Sequence, residues 1–535
     1  MTSSAARGQT MLLGLAFTLG LVWLHVAYLG NAGALWRDEV NSVNVASMPS
    51  WGAVFAHGHL DSFPLAWVTV LHAWIAAGLG ETDAELRRLG FVIGLGTLAT
   101  LWWTARRLGL AAPLVGLLLL GMSPSVIVYG DQVRGYGLGT LTIIWAVGAI
   151  WAFVQLPTRR TFLVAQLAAI GAVQSYYANA FLLLAVCAGA GAVCVRRRAW
   201  PRLGAVGVLG AVAAASLAIN WVGITYAARV SQIELENPGL GWRVEVFRHA
   251  LAPDVPALSV AWGIAAALAI IGCVLTLLGR RETPGHDGSL FALVMVAVGL
   301  ASFAWYLQYL ARVPTQYWYY LSLMALIALA CELGIEALAL HHRWGYGLRV
   351  LAVTMAALLA APAVARNVPL QMTNVDALAD QVEKLAQPDD LVVVLPWYCG
   401  ITFARYYDGP ASWMTLPAFE DHRFHVHTEV KERMTRGERA ITAELGRIES
   451  TLRAGARVWI VGTPLPPPAT GPVPLAPAPA GPEGWHVGPY LEGWAMQLGA
   501  LLEDHADKVG KIDMVTSGPM NRWERLELFG VEGWH

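Results

Sequence analysis

Charge is scarce in this chain. Lys, Arg, Asp and Glu make up 14% of 535 residues, against about 25% in an ordinary soluble protein, which argues against one large water-soluble enzyme. Lysine is scarcer still: Lys384, Lys431, Lys508 and Lys511 are the only four, all beyond residue 380. The net charge of −1 gives a nucleic-acid partner no electrostatic support. Five cysteines are present. Cys187, Cys194, Cys273 and Cys331 sit in apolar runs and Cys399 stands alone further on, with no spacing that suggests a disulfide framework or a zinc site. They read as small core residues. No Gly-x-Gly-x-x-Gly and no Walker motif occurs, so no nucleotide site is expected.

Apolar residues are abundant: 56% of the chain, with 23 tryptophans and a mean hydropathy of +0.50. That excludes disorder and points to a membrane protein. The average conceals two parts. Residues 1–368 are a series of apolar runs separated by short arginine-containing or acidic breaks, and 369–535 resemble a soluble α/β protein of ordinary domain size.

A spanning helix needs about 20 mainly apolar residues. Runs of that kind lie near 11–30, 64–80, 89–105, 110–128, 137–156, 161–176, 178–195, 203–225, 258–279, 289–308, 317–340 and 345–366. The first follows Arg7 and precedes Ala32-Gly33-Ala34, as a secretory signal would, but it is too long for that and reads as an uncleaved span. Positive charges mark the cytoplasmic side. Arg106-Arg107, Arg159-Arg160, Arg196-Arg197-Arg198, Arg280-Arg281 and His341-His342-Arg343 all fall on that side only if the runs between them cross in pairs. Loops 129–136, 226–257 and 309–316 are then external. Parity forbids 64–80 from crossing, so a non-spanning helix is expected within a long first external loop, 31–88. About eleven spans remain, with the N-terminus cytoplasmic and the C-terminal domain extracytoplasmic.

Ionisable residues beside membrane spans are costly and mark candidate sites. The first external loop opens with Leu35-Trp36-Arg37-Asp38-Glu39-Val40, and the second reads Tyr129-Gly130-Asp131-Gln132-Val133-Arg134-Gly135-Tyr136. Arg88 enters from the same side, and Arg312 precedes Val313-Pro314-Thr315-Gln316-Tyr317-Trp318. Carboxylates facing arginines at an apolar boundary suit deprotonation of a hydroxyl and stabilisation of a phosphate leaving group. Arg134 lies three residues after Asp131, so on a helix both share a face, and a salt bridge between them is the equal alternative to phosphate binding.

Trp36-Arg37-Asp38-Glu39 after a first span resembles the Asp-Glu motif of GT-C superfamily membrane glycosyltransferases. More narrowly, it is similar to bacterial relatives of protein O-mannosyltransferases (family 39) and of the lipid A aminoarabinose transferase. Asp61-Ser62-Phe63-Pro64-Leu65 resembles their His-Pro-Pro-Leu element, with Phe63 in place of one proline and no histidine directly before. Glu85-Leu86-Arg87-Arg88-Leu89, Ser123-Pro124 with the second loop, and Gln174-Ser175-Tyr176-Tyr177 resemble further elements in the same order, over about 11–320. The resemblance implies a polytopic α-helical membrane protein of GT-C fold. It also implies an inverting transferase of the bacterial inner membrane that takes a sugar from a polyprenyl-phosphate donor at the outer face. The acceptor would be an envelope glycan, lipid or protein. Asp38 would be the general base, with Asp131 and Glu39 in support. Arg88, Arg134 and Arg312 would bind the donor phosphate, and Tyr136, Tyr176 and Tyr317 would line the substrate. Some relatives hold a divalent cation such as Mg or Mn between loop carboxylates and others do not, so no metal ligand is assigned. His57 and His59 read as surface residues and His72 as core. A transporter or flippase of a lipid-linked saccharide is the alternative. It does not need an Asp-Glu pair after the first span, and the inverted repeats that would favour it are not found in the sequence.

In 369–535, helices are expected at 376–387, 400–407, 428–454 and 490–503, and strands at 391–395, 457–461, 511–515 and 522–528, around a proline-rich stretch, 464–483. Trp397-Tyr398 and Tyr406-Tyr407 are aromatic pairs of a kind that stacks on sugars, though a structural role is favoured.

Overall fold

The computed structural model describes residues 4–230, 239–279, 285–339, 345–469, 473, 487–514 and 518–535. The first part is helical. After α1 (Ser4–Asn31) come the short α2 (Arg37–Ala46), α3 (Trp51–His57) and α4 (Leu65–Ala76), then α5 (Asp83–Arg107). Next are α6 (Leu114–Gly116), a π-turn over Leu117–Gly121 and α7 (Pro124–Gly130). The series continues with α8 (Gly135–Gln155), α9 (Arg159–Ser175), α10 (Asn179–Arg196), α11 (Trp200–Ser216), α12 (Trp221–Val230), α13 (Leu240–Leu251), α14 (Pro256–Leu278), α15 (His286–Trp305), α16 (Leu321–Ala339) and α17 (Gly345–Asn367).

Eight of the described helical segments are long and apolar enough to cross a membrane. Their surfaces fit that reading. Leu12, Leu19, Ile219, Leu278 and Leu359 are all more than 60% exposed, which lipid tolerates and water does not. α8 and α16 are the central, mostly buried pair. Eleven spans were expected, and the other three runs are helical but fall short for identifiable reasons. α9 has 17 residues, α5 carries arginines at both ends, and 110–128 is split by the π-turn and by the Ser123-Pro124 break. α4 has 12 residues, about 18 Å of helix against a hydrocarbon core of about 30 Å. Part of the loop 226–257 lies outside the described residues.

The C-terminal part is a mixed five-stranded sheet in the order β2-β1-β3-β5-β4. β1 (Leu391–Val394) pairs in parallel with β2 (Ser412–Thr415) and β3 (Val458–Val461), while β5 (Leu528–Glu532) runs antiparallel to β3 and to β4 (Lys508–Ile512). Alternate residues of β1 serve two cores. Leu391 and Val393 pack with α20 (His427–Met434), α21 (Thr442–Arg453) and α22 (Gly488–His505), whereas Val392 and Val394 pack with α18 (Val375–Leu385) and α19 (Gly400–Tyr406). The result is a three-layer α/β/α sandwich. The helix expected over 428–454 is two helices, because Gly437 takes a left-handed φ of +57° between them. The last two strands sit three to six residues from their expected places, and β2 was not anticipated; each strand has only four or five residues.

The sheet domain rests on the loops of the membrane half. Arg405 pairs with Asp83 (2.6 Å), Tyr406 Oη hydrogen-bonds Asp83 and accepts from the Leu35 amide, and Asn521 donates to Tyr129 Oη (3.3 Å). The first and second loops and the sheet domain therefore meet along one seam.

Candidate active site at the seam

α2 begins immediately after the first long helix. Its N-terminal turn carries Asp38 and Glu39, the place where a helix dipole favours anions. The two neighbours diverge. Glu39 is fully buried and grips Arg87 through both oxygens (3.0 and 3.1 Å), while also accepting from the Trp36 and Val133 amides. Arg87 in turn donates to the Gly33 and Ala34 carbonyls. This knot fastens the first loop to the second and occupies both carboxylate oxygens.

Asp38 faces the seam, with 22% of its side chain exposed. Four residues on, the same helix face presents Ser42. Its hydroxyl donates to Asp61 Oδ2 (2.6 Å) and accepts from Arg134, which also pairs with Asp61 Oδ1 (3.1 Å) and donates to the Asp38 backbone carbonyl (2.9 Å). Arg134 lies 4.8 Å over the Phe63 ring. Of the two expected roles of Arg134, salt bridge or phosphate ligand, its placement is in an ion pair, with Asp61 rather than Asp131. From the sheet domain, His425 Nε2 lies 3.4 Å from Asp38 Oδ1. Arg37 stacks on Tyr398 (4.4 Å) and bonds Glu524 (3.3 Å). Burial alone would raise the Asp38 carboxyl. The hydrogen bond from His425 and the charges of Arg134 and Arg37 outweigh it and hold Asp38 well below the usual carboxylate range. Asp38 is thus an ionised, partly accessible carboxylate.

No protein-family model and no curated protein matches the chain. Among the solved structures that resemble its path are two of one protein. ArnT from Cupriavidus metallidurans bound to undecaprenyl phosphate is 13% identical with a TM-score of 0.47, over 84% of this chain and 92% of that one. The same protein in the apo state is 13% identical with a TM-score of 0.45, over 85% and 93%.

The remaining expected site residues are spread. Asp131 is buried in the turn before α8 and bonds His25 of α1 (2.6 Å), and its Oδ1 has no hydrogen-bond partner among the described residues. The pair borders an enclosed cavity no larger than a water molecule, shared with Thr97 and Thr140. Arg88 is exposed on α5, one residue from buried Arg87, and Arg312 is exposed at a left-handed turn (φ 51°). Of the three arginines expected at the phosphate, Arg134 is buried while Arg88 and Arg312 are exposed. Tyr136 and Tyr176 join Phe63, Trp318 and Tyr319 in an aromatic wall behind Arg134, with centroids 4.7 to 6.4 Å apart. Tyr317 packs instead on His249 (4.6 Å). Among the described residues no three His, Cys, Asp or Glu side chains converge as a metal site. Asp38 and Asp131 each face a different histidine, His425 and His25.

Sequence reasoning missed His25, His425, His427 and Glu524. His25 had a signal, as an ionisable residue inside an apolar span. So did His422, His425 and His427, three of fourteen histidines within six residues.

Proposed function

We propose that the protein is an integral membrane glycosyltransferase that moves a sugar from a polyprenyl-phosphate donor to an envelope acceptor, with Asp38 as general base and inversion at the anomeric carbon. The observation that carries this reading is Asp38 itself: ionised, accessible, and set on a helix N-terminus at the seam, while adjacent Glu39 is locked into Arg87. In the proposed reaction the acceptor hydroxyl gives its proton to Asp38 as its oxygen bonds the anomeric carbon. The bond from that carbon to the phosphate oxygen breaks, and the phosphate leaves on its lipid. Arg88 and Arg312, both exposed, are the candidates to meet a phosphate, whose geometry suits a guanidinium. Arg134 supports the reaction by holding Asp61, Ser42 and the backbone of Asp38 in register. The aromatic wall of Tyr136 and Tyr176 gives an apolar surface behind the site.

Deleting the protein and profiling envelope glycolipids and glycoproteins by mass spectrometry tests the reading. One glycan should lose a sugar, and the full chain but not Asp38→Asn should restore it, with transfer down by about 10²-fold or more. Unchanged glycans on deletion, or full rescue by a well-expressed Asp38→Asn, would defeat the proposal.

A further inference from the structure

The 420–427 segment of the sheet domain crosses the seam. Phe424 is buried in the core of the membrane half. Asn44 donates to the Arg423 carbonyl (2.8 Å), and the His425 amide donates to Asn41 Oδ1 (3.3 Å). Both asparagines belong to α2, so the segment is tied to the helix that carries Asp38. These anchors bring the His425 imidazole to Asp38. Behind it, His427 stacks at 5.4 Å and 23°, and Trp397 meets both rings edge-on. Burial pushes His427 down to about 3, so it backs His425 as a neutral ring. His425 Nδ1 is buried without a partner among the described residues, which assigns the imidazole's useful proton to Nε2, facing Asp38.

We propose that His425 is a positioning residue for Asp38, so that the C-terminal domain completes the active site by donating an N–H to the carboxylate that takes the acceptor's proton. This rests on the transferase reading above. His425 and Arg37 both approach Oδ1, which directs Oδ2 to the acceptor. The other ionisable groups around the carboxylate are Arg134 and Tyr136 from the second loop and the start of the next helix and, on the sheet-domain side, His427 and Glu524. None of these shares the direct contact with Oδ1.

The test uses the full-length protein in membranes and two variants. His425→Phe keeps a ring and removes the donor, whereas His425→Gln keeps an N–H within reach. Asp38 is labelled with a water-soluble carbodiimide and glycine ethyl ester across mildly acidic pH, read by peptide mass spectrometry, because a carbodiimide reacts with the protonated carboxyl. Labelling at a given pH should rise about tenfold in His425→Phe, the effect of one unit in the carboxyl's pKa, and return towards the parent in His425→Gln. The deletion-sensitive glycan should fall about tenfold or more in His425→Phe and recover in His425→Gln, at equal protein abundance. Parental labelling in His425→Phe overturns the proposal, and so does altered labelling with the glycan unchanged. If Asp38→Asn also leaves the glycan intact, the transferase reading has failed. A glycan lost in Asp38→Asn but kept in His425→Phe sinks only the role of His425.

Discussion

Two adjacent carboxylates illustrate how environment separates roles. Asp38 and Glu39 share a helix turn, but a helix turns about 100° per residue, so one meets the seam and the other the protein interior. Glu39 and Arg87 form a doubly hydrogen-bonded pair with almost no exposed surface. Removing one partner of such a pair leaves a buried charge unmatched and costs about 3–5 kcal/mol. Glu39→Gln should therefore lower the unfolding temperature and the amount of protein in membranes, whereas Asp38→Asn, at a partly exposed carboxylate, should lower them less while removing transfer. Fluorescence-detected size-exclusion after graded heating separates the two. A stable but inactive Glu39→Gln would return Glu39 to the chemistry. Arg87→Met should behave as Glu39→Gln does, and Arg88→Met, at an exposed position, should change stability by no more than about 0.5 kcal/mol.

Among the elements, the turn before α8 is held by glycines. A Cβ at Gly90 would overlap the Asp131 carbonyl oxygen, and one at Gly94 would overlap the Asp131 carboxylate and the His25 ring. Gly-to-Ala inside an exposed helix is favourable by about 1 kcal/mol. Here Gly94→Ala should destabilise by about 1–3 kcal/mol through overpacking, and the inverted sign is visible in a thermal melt of the solubilised protein. A Gly94→Ala melt at or above the parent's would refute the close packing. Apolar runs and arginine spacing read these elements well because burial in lipid demands long uniform stretches. They read poorly where a run is internally broken, as at the π-turn and Ser123-Pro124, since a break changes hydrogen bonding without changing hydropathy. Strands of four or five residues, such as β2, carry too few alternations to be seen. The Trp36–Glu39 motif was legible because it is local. The approach of His425 to Asp38 joins residues 387 positions apart in number, and no periodicity reports that. Arg87 and Arg88 were separable only by helix phase: Leu86, Leu89, Gly90 and Ile93 are buried, and Arg87 shares their side.

At the scale of the whole molecule, the sheet domain and the membrane half are joined across the seam, and a buried acid of the sheet domain takes part in the joint. Glu524 is fully buried, accepts from the Arg37 amide and guanidinium, and receives the Thr402 hydroxyl. Burial pushes its carboxyl up from 4.5 to about 7, with Arg37 opposing but not cancelling the effect. A raised carboxyl holds its proton more tightly folded than unfolded. Its contribution is therefore most favourable below the unfolded value and is lost as pH rises through about 7. Glu524→Gln cannot ionise and lacks this slope. The variant should melt close to the parent near pH 5 and above it near pH 8, by at most about 3 kcal/mol, the free energy of 2.5 pKa units. Thermal unfolding of both proteins across that range checks the point. A parent-to-variant difference that is flat with pH would show that Arg37 keeps Glu524 ionised throughout, and that the seam is held by a conventional ion pair rather than by a proton shared with the solvent's acidity.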